Sequence, residues 1–181
     1  VEGDLGVRVS VLSLLEAVGV DALVQETRWT REEVESRAQL LHSQPEVLPQ
    51  NQAEAAFDRA LARQAVRHAV GRHVGHLSEL YTPAGLVWVQ EGKDLSQVTT
   101  VIGTGGVLVK SDDPLAALEG AGKQADAPLE LRPERPEFYL DGDYILAAMG
   151  LLAQEEPEAA LEILKNSLSN YKLCGEGTIV G

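Results

Sequence analysis

The fold of this chain is decided by one stretch of sequence, Val98-Thr99-Thr100-Val101-Ile102-Gly103-Thr104-Gly105-Gly106. Residues 98–102 form a β-branched run bounded by polar residues and glycines, which predicts a short buried strand. The glycines that follow let the backbone approach a flat or charged ligand without interference from a Cβ atom. In open α/β sheets, ligands bind outside the carboxyl ends of the strands. The stretch therefore predicts either a ligand-binding turn or a tight strand-to-helix connection.

Two common phosphate-binding patterns do not match this turn. A P-loop requires a Lys followed by Ser or Thr after its glycines, and no such pair follows Gly106 at the needed spacing. The dinucleotide-binding pattern requires a third glycine three residues after the second one, where this sequence has Leu108. The turn therefore belongs to neither class of nucleotide loop.

The sequence before residue 85 is mostly helical in character. Thr30 and Glu33 form a capping-box pattern at the start of one helix. Asn51 caps the longest helical stretch, which is rich in alanine and runs to Gly71 or slightly beyond. These signals predict a group of helices that precedes the glycine turn.

After residue 85, strand candidates alternate with helices. We expect strands at residues 86–90, 98–102 and 129–131, and helices at residues 114–118, 142–153 and 157–170. This order predicts an α/β layer that carries a helical subdomain. We assign residues 1–20 and 80–170 to the α/β lobe, residues 21–79 to the helical subdomain, and residues 171–181 to a flexible C-terminal tail.

The composition excludes several classes of function. The chain has 181 residues, a formal net charge of −13 and no basic run, which argues against nucleic-acid binding. No apolar run approaches the roughly 20 residues of a membrane helix, and no signal peptide is visible, so we expect a cytoplasmic protein without membrane contact.

The one cysteine, Cys174, fits a reducing compartment. Because the chain begins at Val1 without a Met, we expect it to be a fragment.

Six segments, taken in their order along the chain, carry a family resemblance. They are Val1-Glu2-Gly3-Asp4-Leu5-Gly6-Val7-Arg8-Val9, Arg72-His73-Val74-Gly75, Thr82-Pro83-Ala84-Gly85, Glu91-Gly92-Lys93-Asp94-Leu95, Val101-Ile102-Gly103-Thr104-Gly105-Gly106-Val107-Leu108 and Leu140-Asp141-Gly142-Asp143-Tyr144-Ile145-Leu146-Ala147-Ala148-Met149-Gly150-Leu151-Leu152. From Val1 to about Leu168, the chain closely resembles the C-terminal part of the glutamate mutase L family. That family is unrelated to the mismatch-repair proteins that share the label MutL.

The resemblance implies a fold shared with actin, sugar kinases and heat-shock ATPases, a ribonuclease H-like architecture in which two lobes close over a nucleotide. This chain would be the C-terminal lobe of such an actin-like ATPase, with a mostly helical inserted subdomain. By resemblance, Thr104, Gly105 and Gly106 would contact the adenosine. The turn Gly3-Asp4-Leu5-Gly6 resembles the segment that approaches the nucleotide from the opposite side.

The helix expected at residues 143–153 resembles the connecting helix of that superfamily, with Ala147, Ala148 and Gly150 at its crossing point. Asp143 opens this helix and Asp141 lies just before it, and a carboxylate here either caps the helix or contacts the ribose. The candidate nucleotide-binding residues are therefore Gly3, Asp4, Gly6, Thr104, Gly105, Gly106 and Asp143.

The resemblance also implies a function, because family members are thought to be accessory ATPases. They reactivate adenosylcobalamin-dependent mutases, of the glutamate mutase or aminomutase type, by ATP-driven exchange of damaged cofactor. The implied cofactors are ATP or ADP with Mg²⁺ in the full-length protein, with none tightly bound to this fragment. The implied partners are the mutase and the missing N-terminal lobe of the same protein. A second copy of the protein, in a homodimer, is a further candidate partner.

One departure from the superfamily pattern limits what the isolated chain can do. The superfamily holds the phosphates with two Asp-x-Gly-type hairpins, and Asp4-Leu5-Gly6 lacks the Ser or Thr hydroxyls that follow in such hairpins. We therefore expect weak and similar binding of adenosine and ATP, and no hydrolysis, from residues 1–181 alone.

His68, His73 and His76, with Glu79, are the candidates for a metal site. In a continuous helix, His68 and His73 would point about 140° apart, which is wrong for a single site. We expect polar contacts at a lobe boundary instead of a metal. Two other functions stay open: a non-enzymatic helical interaction module whose glycine turn is structural, and a metal hydrolase built on these histidines.

Overall fold

The computed structural model of this chain describes residues 3–174 and 178–180. A helical block comes first, formed by α1 (Val11–Val18), α2 (Val20–Thr27), α3 (Arg31–Ser43) and α4 (Gln52–His73). A hairpin of β1 (His76–Thr82) and β2 (Gly85–Glu91) follows. The remaining elements are β3 (Thr100–Gly103), α5 (Gly106–Val109), α6 (Pro114–Leu118), a 3-10 turn (Glu119–Ala121), β4 (Glu137–Leu140), α7 (Leu146–Leu152), α8 (Pro157–Asn170), β5 (Lys172–Cys174) and β6 (Thr178–Val180).

The predicted helix starts are confirmed, because each is made by side chains close in sequence. The Thr30 side chain accepts a hydrogen bond from the backbone N–H of Glu33, whose carboxylate accepts one from the N–H of Thr30 at 2.7 Å. At the start of α4, the Asn51 side-chain oxygen accepts from the N–H of Glu54 at 3.0 Å. Such caps satisfy backbone donors that have no partner inside the helix.

The helical block has its own apolar core. Phe57 and Leu61 of α4 are fully buried there, and the ring of Trp29 stacks on Phe57 with the centroids 4.8 Å apart. Val11 and Leu14 of α1 are also fully buried in this core. α1 thus packs with the other helices of this block, and the division into residues 1–20 with 80–170 and residues 21–79 stays a prediction. The apolar period of α1 predicts a helix but does not show which core that helix joins.

Strands β3, β4, β5 and β6 form one sheet in that order. β3 and β4 are parallel, with Gly103 beside Leu140 at their carboxyl ends, whereas β5 and β6 add in antiparallel fashion. The connection from β3 to β4 runs through α5 and α6, which is the crossover that parallel neighbours require. The chain is therefore a mixed α/β protein, as predicted.

A second apolar cluster joins the sheet to the helical block. α4 packs against both α6 and α2, so this long helix is shared by the two parts. The buried members of the second cluster are Ala62, Leu108, Leu115, Ala117, Leu118, Leu140 and Leu173.

The strands differ from the prediction at three places. Residues 76–82 belong to the part of the chain predicted to be mostly helical. They form β1 instead, which pairs along its whole length with β2. Residues 129–131 form no strand, and their backbone instead bonds to the hairpin base, with the Leu77 N–H donating to the carbonyl of Leu129 at 2.9 Å. β4 and β5 are too short for a period-2 pattern to reveal them.

The flexible tail predicted at residues 171–181 stays a prediction, and residues 175–177 and 181 lie outside the described part of the chain. Leu173 lies in β5, pairs with Phe138 of β4 and is buried in the second cluster. The predicted helix over 142–153 begins later, at Leu146, because residues 142–145 form a turn. Across the described ranges, no helix combines the length and apolarity needed to cross a membrane.

Candidate functional site

Two loops meet at the carboxyl ends of the parallel strands β3 and β4. Residues 104–106 follow β3 and residues 141–145 follow β4. The backbone N–H of Asp141 donates to the carbonyl of Gly103 at 2.8 Å, and the Thr104 hydroxyl donates to the Asp141 carboxylate at 3.2 Å. The glycine turn predicted from sequence is therefore held against the second loop by Asp141.

Asp141, which the sequence singles out together with Asp143, is the central group of this edge. It is buried, and its carboxylate accepts hydrogen bonds from the N–H groups of Ile145 and Leu146 at the start of α7. One side chain thus closes the turn before α7 and fixes Thr104. Of the two roles left open from the sequence, these contacts show capping for Asp141.

Asp143 has different partners from those considered in the sequence analysis. Its carboxylate accepts from the Ser167 hydroxyl at 2.6 Å and from the Tyr171 hydroxyl at 3.1 Å. The hydrogen bond and the negative charge of Asp143 raise the pKa of Tyr171. The capping function at α7 falls to Asp141, and the carboxylate of Asp143 ties the loop to α8. Contact of Asp143 with a ribose stays a prediction.

Gly105 and Gly106 differ in what their backbones require. Gly105 has a φ of 111°, where L side chains are strained, and its carbonyl accepts from the N–H groups of Leu108 and Val109 in α5. Gly106 is the first residue of α5, and a Cβ atom there would meet the Tyr144 hydroxyl at an ordinary 3.5 Å. Gly105 is therefore needed by the turn itself, whereas the fold would accept a small side chain at Gly106.

A cleft of about 510 Å³ opens beside Gly106. Gly106 and Val107 form one wall, and Leu48, Pro49 and Ala55 of the helical block form the other. Its lining is mostly apolar, and its volume lies within the range of about 300–1,000 Å³ that is usual for small-molecule sites. The sequence does not reveal the far wall, because residues 48–55 reach Gly106 only through packing of α4 against α5 and α6.

Charged side chains border this cleft in pairs. Arg8 and Asp58 form a two-pronged ion pair, with Arg8 Nη2 at 2.6 Å from Asp58 Oδ2. Arg59 of α4 pairs with Asp112, which lies beyond α5, so this ion pair joins the two walls. Lys110 adds a further positive charge to the lining. The cleft thus offers apolar surface for a flat group and cations beside it.

Gly3, Asp4 and Gly6 are not among the residues that line this cleft. Both carboxylate oxygens of Asp4 accept from the Arg72 guanidinium, at 2.9 and 2.8 Å, and this arginine lowers the pKa of Asp4. Arg72 is in the last turn of α4, thirteen residues after Arg59, which corresponds to about 20 Å along the helix. Asp4 is thus held at the far end of α4 from Arg59, and nucleotide binding by Gly3, Asp4 and Gly6 stays a prediction.

The histidine side chains considered for a metal site do not come together at one place. α4 ends at His73, so His76 lies in β1, where its Nε2 atom is 3.3 Å from the Glu91 carboxylate. His73 and His76 therefore do not share one helix, and Glu79, three residues along the strand, lies on the opposite face from His76. Within residues 3–174 and 178–180, no three His, Cys, Asp or Glu side chains are grouped so that they could hold a metal ion.

Comparison with known proteins assigns the chain to a family. The profile of the family described as MutL protein matches residues 1–168. The chain belongs to this family. A curated relative, Protein MutL of Clostridium tetanomorphum, is 44% identical over 169 residues. That alignment covers 93% of this chain but 36% of the relative, so the chain spans about a third of the relative's length. No solved structure matches this chain.

Membership of the MutL family confirms the resemblance that the six sequence segments carry. The α/β class is confirmed by the sheet and its helices. The actin-like architecture stays a prediction, since no solved structure provides a comparison.

Proposed function

We propose that this chain is the adenosine-binding lobe of an ATP-dependent reactivating factor for an adenosylcobalamin-dependent mutase, of the glutamate mutase or aminomutase type. Membership of the MutL family supports the accessory role. The observation that carries nucleotide binding is the cleft beside Gly106, which opens next to the carboxyl ends of two parallel strands. Ligands in open α/β sheets bind at this edge.

The cleft suits a purine base and its sugar. The base would lie between Val107 on one wall and Pro49 with Ala55 on the other, where burial of apolar ring surface supplies affinity. Gly106 would leave room for the sugar, because its Cα faces open space except for the Tyr144 hydroxyl. Arg59 would present its guanidinium plane beside the base.

The cleft residues that suit the base and the sugar are not matched by residues of this chain that would hold the phosphates and Mg²⁺. Asp4 is occupied by Arg72, and Asp4-Leu5-Gly6 lacks the Ser or Thr hydroxyls of a phosphate-binding hairpin. We therefore propose that the groups that hold the phosphates and Mg²⁺ lie elsewhere in the full-length protein. ATP, when bound, would supply the free energy for exchange of the damaged cofactor, while this lobe binds and orients the adenosine.

The surface of α7 supports the proposed second lobe. Its sequence is apolar on every side, yet none of its residues is buried, and Leu151 is 70% exposed. A helix that is apolar all round is normally covered by protein. Ala147, Ala148 and Gly150 are exposed small residues at which another helix could approach closely. We propose that the missing N-terminal lobe packs here.

Titration calorimetry on the full-length protein tests the adenosine site. Ala55→Trp would fill the cleft from the α4 wall and abolish binding of adenosine and ATP. Ala53→Trp, on the same helix turn but outside the cleft lining, would leave binding unchanged. A full-length protein that binds neither adenosine nor ATP would contradict the proposed site. The accessory role is tested separately, by ATP-dependent recovery of an inactivated adenosylcobalamin-dependent mutase.

A non-enzymatic interaction module is the second candidate, and the β1–β2 hairpin favours it. Tyr81 is 80% exposed and Trp88 54% exposed, and Leu80 is also exposed on this ribbon. Exposed aromatic and apolar groups of this kind are typical of protein contact surfaces. A protein that binds the mutase but neither adenosine nor ATP would favour this candidate over the ATPase lobe.

A further inference from the structure

Tyr144 lies beside the glycine turn in an unusual conformation. Its φ is 55°, one of two positive values among the non-glycine residues that the structure describes, and its side chain is about half exposed. The Tyr144 hydroxyl stands 3.5 Å from the position that a Cβ atom on Gly106 would take. The phenol therefore lies at the edge of the cleft wall that Gly106 forms.

The fold explains the backbone at this position but not the choice of tyrosine. The Tyr144 N–H donates to the carbonyl of Asp141 at 3.2 Å, and the Asp141 carboxylate accepts from the N–H groups that follow. This tight turn forces a left-handed residue, for which Gly or Asn is the unstrained choice. The tyrosine ring is not part of either apolar core.

The Tyr144 hydroxyl also has no hydrogen-bond partner within the described part of the chain. The residue is strained, about half exposed and outside both apolar cores, so core packing does not account for a tyrosine at this position. Strain of this kind persists most often where a side chain serves a binding site. The position of the hydroxyl over Gly106 indicates which site that is.

We infer that the Tyr144 hydroxyl recognises the sugar of a nucleoside whose base lies in the cleft beside Gly106. Gly106 lines the cleft and Tyr144 does not, so Tyr144 stands where the next part of a ligand would leave the cleft. Asp141 and Asp143 flank it in the same loop, and their negative charges disfavour a phosphate there. A phenol hydroxyl beside two carboxylates suits an uncharged sugar hydroxyl. This inference rests on the proposed adenosine site.

Titration calorimetry of the full-length protein with adenosine and with adenine separates the sugar from the base. For Tyr144→Phe, which keeps the ring and removes the hydroxyl, we expect about fivefold weaker binding of adenosine and unchanged binding of adenine. Wild-type binding of adenosine with no effect of Tyr144→Phe would overturn this inference and leave the proposed function standing. Equal weakening of adenosine and adenine would also overturn it. A wild-type protein that binds neither compound would remove both proposals.

A second pair of variants separates recognition from folding. Tyr144→Gly relieves the strained backbone, so we expect a higher melting temperature together with weaker adenosine binding. Arg28→Gly is the matched control, since Arg28 has a φ of 61° at the end of α2 in the helical block. It should also raise the melting temperature but leave adenosine binding unchanged. Tyr144→Gly protein with wild-type affinity for adenosine would contradict the inference.

Discussion

At the residue scale, Gly105 and Gly106 are adjacent but have different roles. We predict that Gly105→Ala lowers the free energy of unfolding by about 1–2 kcal/mol, because its φ of 111° is strained for any side chain. Gly106→Ala should instead leave stability unchanged or raise it by up to about 1 kcal/mol, since its backbone is helical and unstrained. Urea denaturation measures both variants. Equal destabilisation by the two would show that both glycines are needed by the turn.

His68 provides a pH-dependent contribution to stability. Burial lowers its pKa, as do the positive charges of Arg72, Arg67 and Arg132, against a smaller opposite effect of Glu130. Because the folded state binds this proton less readily than the unfolded chain, the free energy of unfolding is highest above the usual His pKa of about 6.5. It decreases as the pH falls through the lowered pKa of the folded state.

The variant His68→Gln tests this contribution. It carries no titrating ring, so it should lose less stability than the wild type between about pH 7.5 and about pH 5. Chemical denaturation across this range measures the difference, and the titration of the carboxylates is common to both proteins. Parallel stability profiles would show that His68 has the same pKa in the folded and unfolded states.

At the scale of elements, the hairpin depends on a close backbone approach at its base. A Cβ atom on Gly75 would lie 2.4 Å from the Glu91 carbonyl oxygen. We predict that Gly75→Ala lowers the free energy of unfolding by about 1–3 kcal/mol through this clash. Gly150→Ala is the control, because nothing lies within 4 Å of that position in α7, and alanine there should stabilise by about 0.5–1 kcal/mol. Thermal unfolding compares the two, and an unaffected Gly75→Ala protein would contradict the close approach.

α4 is the element that connects the two parts of the chain. Its arginines recur every four residues on one face, and two of them pair with acidic groups of the α/β part, Arg59 with Asp112 and Arg67 with Asp126. In each pair the carboxylate is largely exposed to solvent, so the pair contributes little alone. The apolar contacts of Ala62 and the helices around it supply most of the attachment.

At the scale of the whole molecule, Arg132 ties separate segments together. It is 2% exposed, and its guanidinium donates to the carbonyls of Gly120 and Arg67, each at 2.9 Å, and to the Glu130 carboxylate. We predict that Arg132→Ala lowers the free energy of unfolding by about 3–5 kcal/mol, because a partly buried carboxylate and two carbonyls would lose their partner. Urea denaturation measures this value.

Arg135→Ala is the matched control for Arg132. Arg135 is close in sequence but exposed, so its truncation should change stability by less than about 0.5 kcal/mol. Similar effects of the two substitutions would show that Arg132 does not connect α4 to the rest of the molecule.

The sequence by itself determined the features that depend on neighbouring residues. The caps at Thr30 and Asn51 are made by atoms three residues apart, and the β-branched run before Gly103 predicts its strand without help from distant residues. Family membership is likewise visible in ordered segments of sequence. The α/β class follows from these local signals.

The tertiary structure alone decided which residues form the candidate site. The cleft brings Pro49 and Ala55 to Gly106, and the sheet brings Asp141 to Thr104, across separations of 37 residues or more. It also decided that residues 76–82 form a strand, since β1 gains its backbone hydrogen bonds only by pairing with β2. A local sequence pattern encodes backbone preference and the period of apolar residues. It does not encode which distant elements pack together, and packing is what places these side chains around one cleft.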